Sequence, residues 1–202
     1  MTGLLRFALG MDRISGALGK LAAWAVLLAA LISAGNAVVR YGLDISSNGW
    51  LEIQWYLFSV TVMLGAPVVL KLNEHVRVDI IYGKLPRNGP VYVDLFGLTF
   101  FLLPVMGMLA WMTWGFFWTK LAGNMTAADT VASLGLWGYL ARLFTSGEIS
   151  SNAGGLIRWP VALLMPLGFA LMFLQGVAEI LKRVAYLRGA LSMDTHYEKP
   201  LQ

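Results

Sequence analysis

The residues of this chain that could do chemistry are few, and they sit at the edges of apolar runs. There are two histidines, His75 and His196, and no cysteine. Without thiols there are no disulfides, iron–sulfur clusters or thiolate metal sites. Asn73-Glu74-His75 is not H-E-x-x-H, and no second histidine is placed to complete a zinc site. The glycine-rich stretch Gly147 to Gly155 lacks the Gly-Lys-Ser/Thr of a phosphate loop, and no serine stands in G-x-S-x-G. The sequence predicts no covalent catalysis, no metal site and no cofactor.

Two polar clusters remain. The first is Leu72-Asn73-Glu74-His75-Val76-Arg77-Val78-Asp79-Ile80. His75 and Asp79 are four apart, so on a helix the carboxylate could orient the imidazole. The same residues alternate polar and apolar, which leaves open a solvated loop that sets topology through Lys71 and Arg77. The second is Gly147-Glu148-Ile149-Ser150-Ser151-Asn152-Ala153-Gly154-Gly155-Leu156, followed by Trp159-Pro160. Its Ser, Asn and Gly residues favour a turn, and Pro160 suits the first turn of a helix. Glu52 stands apart near Asn48, as a solvated or snorkelling carboxylate, or as the partner of a base such as Arg40 or one on another chain. Glu179 and Arg183 have the spacing of a helical ion pair.

The elements that carry these groups are membrane spans. The 202 residues are 58% hydrophobic and only 13% charged, with a mean hydropathy of +0.68. Soluble domains carry about 25% charged residues, so the bilayer is the solvent this composition suits. Four stretches can cross a hydrocarbon core of about 30 Å: 21–39, 50–70, 91–118 and 159–181. None alternates in the manner of barrel strands, and helices satisfy their own backbone in lipid. The fold class expected is an all-α membrane protein of four transmembrane helices in one domain. The run of 21–39 is too long for a signal peptide, and no A-x-A-like site follows it.

Lysine and arginine orient the bundle. Arg6, Arg13 and Lys20 precede the first span; Lys71, Arg77, Lys84 and Arg87 lie between the second and third; Lys182, Arg183, Arg188 and Lys199 follow the fourth. Against these eleven, the other two connections hold Arg40, Lys120, Arg142 and Arg158. The positive-inside rule puts both termini and the middle loop in the cytoplasm. The net charge of +4 reflects this asymmetry and gives no nucleic-acid signal.

Leu4, Phe7, Met11, Ile14 and Leu18 recur at spacings of three and four, with Arg6, Arg13 and Lys20 beside them. They predict an amphipathic leader over 1–20 that lies in the headgroup layer before turning into the first span. A frayed tail is the plainer reading. Val131 to Phe144 is apolar but too short to cross, which predicts an interfacial helix on the periplasmic side, or one that re-enters partly. Residues 182–202 end in a loose cytoplasmic tail.

Ala25, Ala29, Ser33 and Ala37 form a small-residue stripe suited to close helix packing. Pro67, Pro104 and Pro166 interrupt spans, and are read as static kinks rather than hinges. Trp111, Trp114 and Trp118 fit an interfacial belt. The middles of the spans hold only Ser33, Asn36, Ser59, Thr61, Thr113 and Gln175 as polar candidates, too few for a transporter working alone.

The two clusters, in this order, resemble a known family: the small membrane subunit, DctQ-like, of tripartite ATP-independent periplasmic (TRAP) transporters. The likeness includes Arg40-Tyr41, Trp50-x-Glu52, Gly65-Ala66 and His75-Val76-Arg77-Val78-Asp79. It continues through Glu148-x-Ser150, Trp159-Pro160, Pro166-x-Gly168-Phe169 and Gln175. It covers about residues 15 to 183, and the His-Val-Arg-Val-Asp run is its most specific piece. The resemblance implies a bacterial inner-membrane system, usually sodium-coupled, that imports organic acids. In it a periplasmic binding protein captures substrate and a large DctM-like subunit carries the substrate and ion sites. The small subunit would be a four-helix scaffold that braces the large one in the lipid membrane and helps dock the binding protein. Candidate partner-interface residues are then Arg40, Glu52, His75, Arg77, Asp79, Glu148, Ser150, Asn152, Trp159 and Gln175.

Two other classes compete. The small subunit of tripartite tricarboxylate transporters has similar size and logic, but leaves the His-Val-Arg-Val-Asp run unexplained. A membrane anchor of a redox enzyme would need histidines inside the spans for haem, and none lies there.

Overall fold

The computed structural model of the chain describes residues 2–44, 48–73, 85, 88–123, 127–145, 147–152 and 154–191. Helices account for nearly all of it. They are α1 (Thr2–Leu43), α2 (Asn48–Leu72), α3 (Gly89–Gly97), a π-helical turn (Leu98–Leu102), α4 (Leu103–Ala122), α5 (Ala127–Thr145) and α6 (Trp159–Leu187). Four helical stretches are long and apolar enough to cross a membrane: α1, α2, the joined α3–π–α4 from Gly89 to Ala122, and α6. The helices begin and end where local chemistry dictates. Pro90 and Pro160 open α3 and α6, where a missing N–H costs nothing. Asn73 closes α2 at a φ of 62°, with its N–H on the Leu70 carbonyl; asparagine tolerates this left-handed conformation better than most residues. Gly189 closes α6 at a φ of 70°.

α6 is the hub. It packs against α1, α2 and α4, while α1 and α2 also pack on each other. The close approaches occur at small residues, as expected in lipid. A Cβ at Gly19 would lie 2.8 Å from Val68, and one at Gly168 would lie 2.7 Å from Met63. Gly176 faces Leu102 and Leu103 in the same way. By contrast, α4 rests mainly on α6, with α5 against its upper end, and clefts of about 800 and 950 Å³ separate α2 from the third span along its two halves. Pro67 and Pro166 sit buried inside continuous helices, and the π-helical turn directly precedes Pro104.

The leader differs from the expectation drawn from its periodicity. No turn separates it from the first span; Thr2–Leu43 is one helix of 42 residues, about 63 Å long at 1.5 Å per residue. Of the expected apolar seam only Met11 is buried, whereas Leu4, Phe7 and Ile14 are exposed. The buried face is Ala8, Met11 and Ser15, and Ala8 and Met11 meet Ala178 of α6. Ala8 and Ser15 let the backbones of α1 and α6 come close there, and Met11 packs beside them. Residues 131–144 are helical, within α5, which bends at Gly135 (φ 69°). Its Leu134, Leu136 and Trp137 are exposed, while Tyr139 and Leu140 pack on Phe117, Leu121 and Ala162.

Candidate functional site

Polar side chains gather at the two ends of the bundle. One end holds the close of α1, the start of α2 and the hairpin after α5, and is called the upper end below; the other holds the start of α1 and the end of α6.

At the upper end, Glu52 rises from the first turns of α2 and receives three hydrogen bonds from the 147–158 segment. The Ser150 hydroxyl and the Asn152 amide (2.8 Å) donate to one oxygen, and the Leu156 N–H (2.7 Å) donates to the other. The segment is a small hairpin. Ile149 and Ile157 pair across it, the Ser150 N–H donates to the Leu156 carbonyl, and the Arg158 N–H donates to the Glu148 carbonyl. Gly155 is needed at its tip, because a Cβ there would lie 2.6 Å from that of Ser150. Glu148 accepts from Lys120 of α4 (2.6 Å) and from Arg158 (2.9 Å). The Lys120 ammonium, donating directly to this loop carboxylate, holds Glu148 below the usual carboxylate range, with Arg158 adding to the effect. The Tyr56 hydroxyl donates to the Ile157 carbonyl at 2.9 Å. The indole of Trp159 donates to the Phe144 carbonyl and meets the Phe144 ring edge-on at 5.4 Å. This clasp joins α2, α4, α5 and the start of α6 around one loop.

At the lower end lies a drier network, of which the sequence shows only the Glu179–Arg183 ion pair. The Ser15 hydroxyl donates to Gln175 Oε1 (2.7 Å), and Gln175 Nε2 donates to Asp12 (2.9 Å) and Glu179 (3.1 Å). Lys182 bridges Asp12 and Glu179. Arg183 donates to Asp94 of α3 (2.8 Å) and to Glu179 (2.6 Å). Lys71 of α2 caps the Asp12 carbonyl at 3.1 Å. Ser15 and Gln175 are fully buried, and Glu179 and Arg183 are 3% and 5% exposed. Asp12, Asp94 and Glu179 face Lys182 and Arg183, with Lys71 on a nearby main-chain carbonyl, so all four spans contribute. Charge balance permits such burial, since an isolated ion in an apolar setting is prohibitively costly.

The candidate residues thus divide. Glu52, Glu148, Ser150, Asn152 and Trp159 come together in the upper clasp. Arg40 lies exposed in the last turn of α1, and the hydrogen bonds on Glu52 come from Ser150, Asn152 and Leu156 instead. Gln175, expected at a partner interface, is turned wholly inward, so its amide serves the chain's own network. His75, Arg77 and Asp79 lie outside the described residues. Of the small-residue stripe, Ala25 is buried and Ala29 half-buried, whereas Ser33 and Ala37 are exposed. Trp111, Trp114 and Trp118 are exposed on α4. Ser59, Thr61 and Thr113 spend their hydroxyls on carbonyls three or four residues back in their own helices, as hydroxyls inside helices often do. No group of three or more metal-ligating side chains occurs among the described residues. The arrangement clamps a loop and locks helices together.

Comparison with known proteins gives the site its context. A family model described as "Tripartite ATP-independent periplasmic transporters, DctQ component" matches residues 29–185. A protein of Haemophilus influenzae named "Putative TRAP transporter small permease protein" is 39% identical over 54 residues, which cover 27% of this chain and 34% of that protein. The chain therefore spans about a third of the length of that curated relative in the match. No solved structure matches.

Proposed function

The chain belongs to the DctQ family of TRAP transporter components, and from that premise we propose that it is a non-catalytic scaffold of a sodium-coupled importer of an organic acid. Substrate and ion sites belong to the large DctM-like membrane subunit, and a periplasmic binding protein delivers the substrate. This chain braces the fixed part of the large subunit and holds its 147–158 hairpin outward for the binding protein. The observation that carries this reading is how the polar groups are used. Among the described residues, the ionic clusters lie at the two ends and satisfy one another within the chain. The Ser59, Thr61 and Thr113 hydroxyls between them are bonded to their own helices. Intramembrane groups that handle a substrate need free polar atoms facing a cavity.

In this reading the chain is a multi-pass protein of the bacterial inner membrane. The lysine and arginine bias puts the termini and the lower network on the cytoplasmic side and the upper clasp on the periplasmic side. α5 then lies along the periplasmic face with Leu134, Leu136 and Trp137 in the outer leaflet. Membrane lipid covers the exposed apolar rows of α1 and α4. The separate units are the 1–20 leader, now continuous with its span, the four spans and the 182–202 tail.

The test is charge reversal in the assembled transporter. Glu52→Lys should lower uptake and recovery of the large subunit far more than Arg13→Glu, because Glu52 holds the hairpin and Arg13 is an exposed residue of α1. Equal, small effects at both positions would refute the scaffold reading. Pull-down of the tagged chain from its native membrane should bring a stoichiometric, strongly hydrophobic partner; a soluble redox partner would contradict it.

A further inference from the structure

The third span contains one feature that the scaffold reading leaves unused: the π-helical turn Leu98–Leu102, closed by the Leu103 N–H on the Leu98 carbonyl, five residues back. Such a turn is equivalent to one extra residue inserted in an α-helix. It stands between two contacts that α3–α4 makes with α6. Below it, Asp94 meets Arg183, and at its upper edge Leu102 and Leu103 face Gly176. Above it, Phe117 and Leu121 pack on Ala162.

Helical geometry shows why the extra residue matters. At about 100° per residue, Phe117 and Leu121 lie within about 40° of each other around the helix. In an unbroken α-helix their centre would stand about 160° from Asp94, and only one of the two anchors could then face α6. One extra residue takes back about 100° and brings them to about 60°, on one side of the helix. The neighbouring chemistry fits this location. Pro104 follows the turn and has no N–H to give; its ring crowds the carbonyl four residues back in a regular helix, and a wider turn relieves that. Gly176 gives Leu102 and Leu103 room against α6, since a Cβ there would lie 2.6 Å and 3.2 Å from their methyl groups. Phe100 and Phe101, within the turn, are 65% and 63% exposed, so the extra residue does not fill a core position.

We propose that this π-helical turn is a rotational splice. It turns the upper half of the third span relative to the lower half, so that an ionic anchor and an apolar anchor engage the same helix. It also fixes which residues of α4 point away from α6, including Met108, Trp111 and Met112, all well exposed. The inference concerns the chain's own architecture and stands whatever its partners.

Deletion in place tests it. The chain has no cysteine, so Leu121→Cys with Ala162→Cys gives a clean reporter pair for a short thiol cross-linker in native membranes. Deleting Phe100 should turn the splice into ordinary α-helix and keep both anchors on one face, so cross-linking and membrane level should stay near those of the parent. Deleting Phe101 instead should give the same result, which guards against an effect of one lost side chain. Inserting one alanine between Met112 and Thr113 should turn the upper anchor by about 100° and abolish most cross-linking. Loss of cross-linking or of the protein itself in both deletions would overturn the proposal. So would full cross-linking in the insertion, because the contact would then not depend on residue count.

Discussion

Arg183→Met is the sharpest test of the lower network. The side chain of Arg183 is 6% exposed, and its partners Asp94 and Glu179 are 13% and 4% exposed. Methionine keeps much of the aliphatic length and removes the charge. Glu179 retains Lys182, but Asp94 loses two hydrogen bonds, from Nε at 3.0 Å and Nη2 at 2.8 Å. Breaking a buried pair from one side typically costs about 3–5 kcal/mol, most of it the desolvated charge left behind. For a chain of this size each kcal/mol moves the midpoint by about 2–4 °C, so a fall of roughly 6–20 °C is expected. Thermal unfolding of the purified protein in mild detergent, followed by tryptophan fluorescence, reads it. A second change, Asp94→Asn, should recover part of the loss in the Arg183→Met background, because the charge that Arg183 balanced is gone. Lys120→Met serves as the comparison: its pair with Glu148 is 21% and 36% exposed, and exposed pairs contribute about 0–1 kcal/mol. If Arg183→Met costs no more than Lys120→Met, the lower network is wet and does not lock the helices.

Three further outcomes follow from the geometry. Gly168→Val should part α2 from α6, since a Cβ already meets the Met63 carbonyl oxygen at 2.9 Å; overpacking of this kind costs about 1–3 kcal/mol. Gly115→Ala, with nothing within 4 Å, should leave the same melting curve untouched, and a similar loss in both would discredit the packing argument. The Glu148 carboxyl titrates below its ordinary value because Lys120 donates to it, so the sign is that of a depressed acid: its stabilisation is complete above the usual carboxylate pKa and is lost as pH falls through the depressed one. Trp159 fluorescence should therefore change only under strongly acidic conditions, and Glu148→Gln should remove that step; a step near neutral pH that survives the substitution would contradict the assignment. Deleting residues 1–14 removes Asp12 from Lys182 and uncovers Ala178, so it should lower thermal stability as well as partner recovery; unchanged stability would show that the leader does not belong to the bundle.

The four spans were legible because long apolar runs carry their own signal, with ends marked by Pro160 and by the charges around 71–90. The upper clasp was half legible. Glu52 and Glu148 stand out as acids beside apolar runs, but nothing in the spacing says that Ser150 and Asn152 would reach back about 100 residues to Glu52. Ser15 and Gln175, 160 positions apart, were beyond any local pattern. The contact face of the leader is legible only in part. The large-residue period runs through Leu4, Phe7, Met11, Ile14 and Leu18, yet of these only Met11 is buried. Close helix packing in a bilayer favours small residues, which adds Ala8 and Ser15 to the face. The π-helical turn escaped because one extra residue blurs a 3.6-residue period without abolishing it.

The central position of α6 also bears on how the protein is made. Chains are synthesised from the N-terminus, so α1 and α2 can pair as soon as both have entered the bilayer. The third span cannot follow them, because its described packing is on α6, which emerges last. Between those events Asp94 waits at the membrane edge without Arg183, and α1 carries Asp12 and Ser15 without Gln175 or Lys182. A nascent chain that stopped before Trp159 could close the upper clasp but would hold Asp12, Ser15 and Asp94 without their α6 partners. The lower network can therefore close only once α6 is in place.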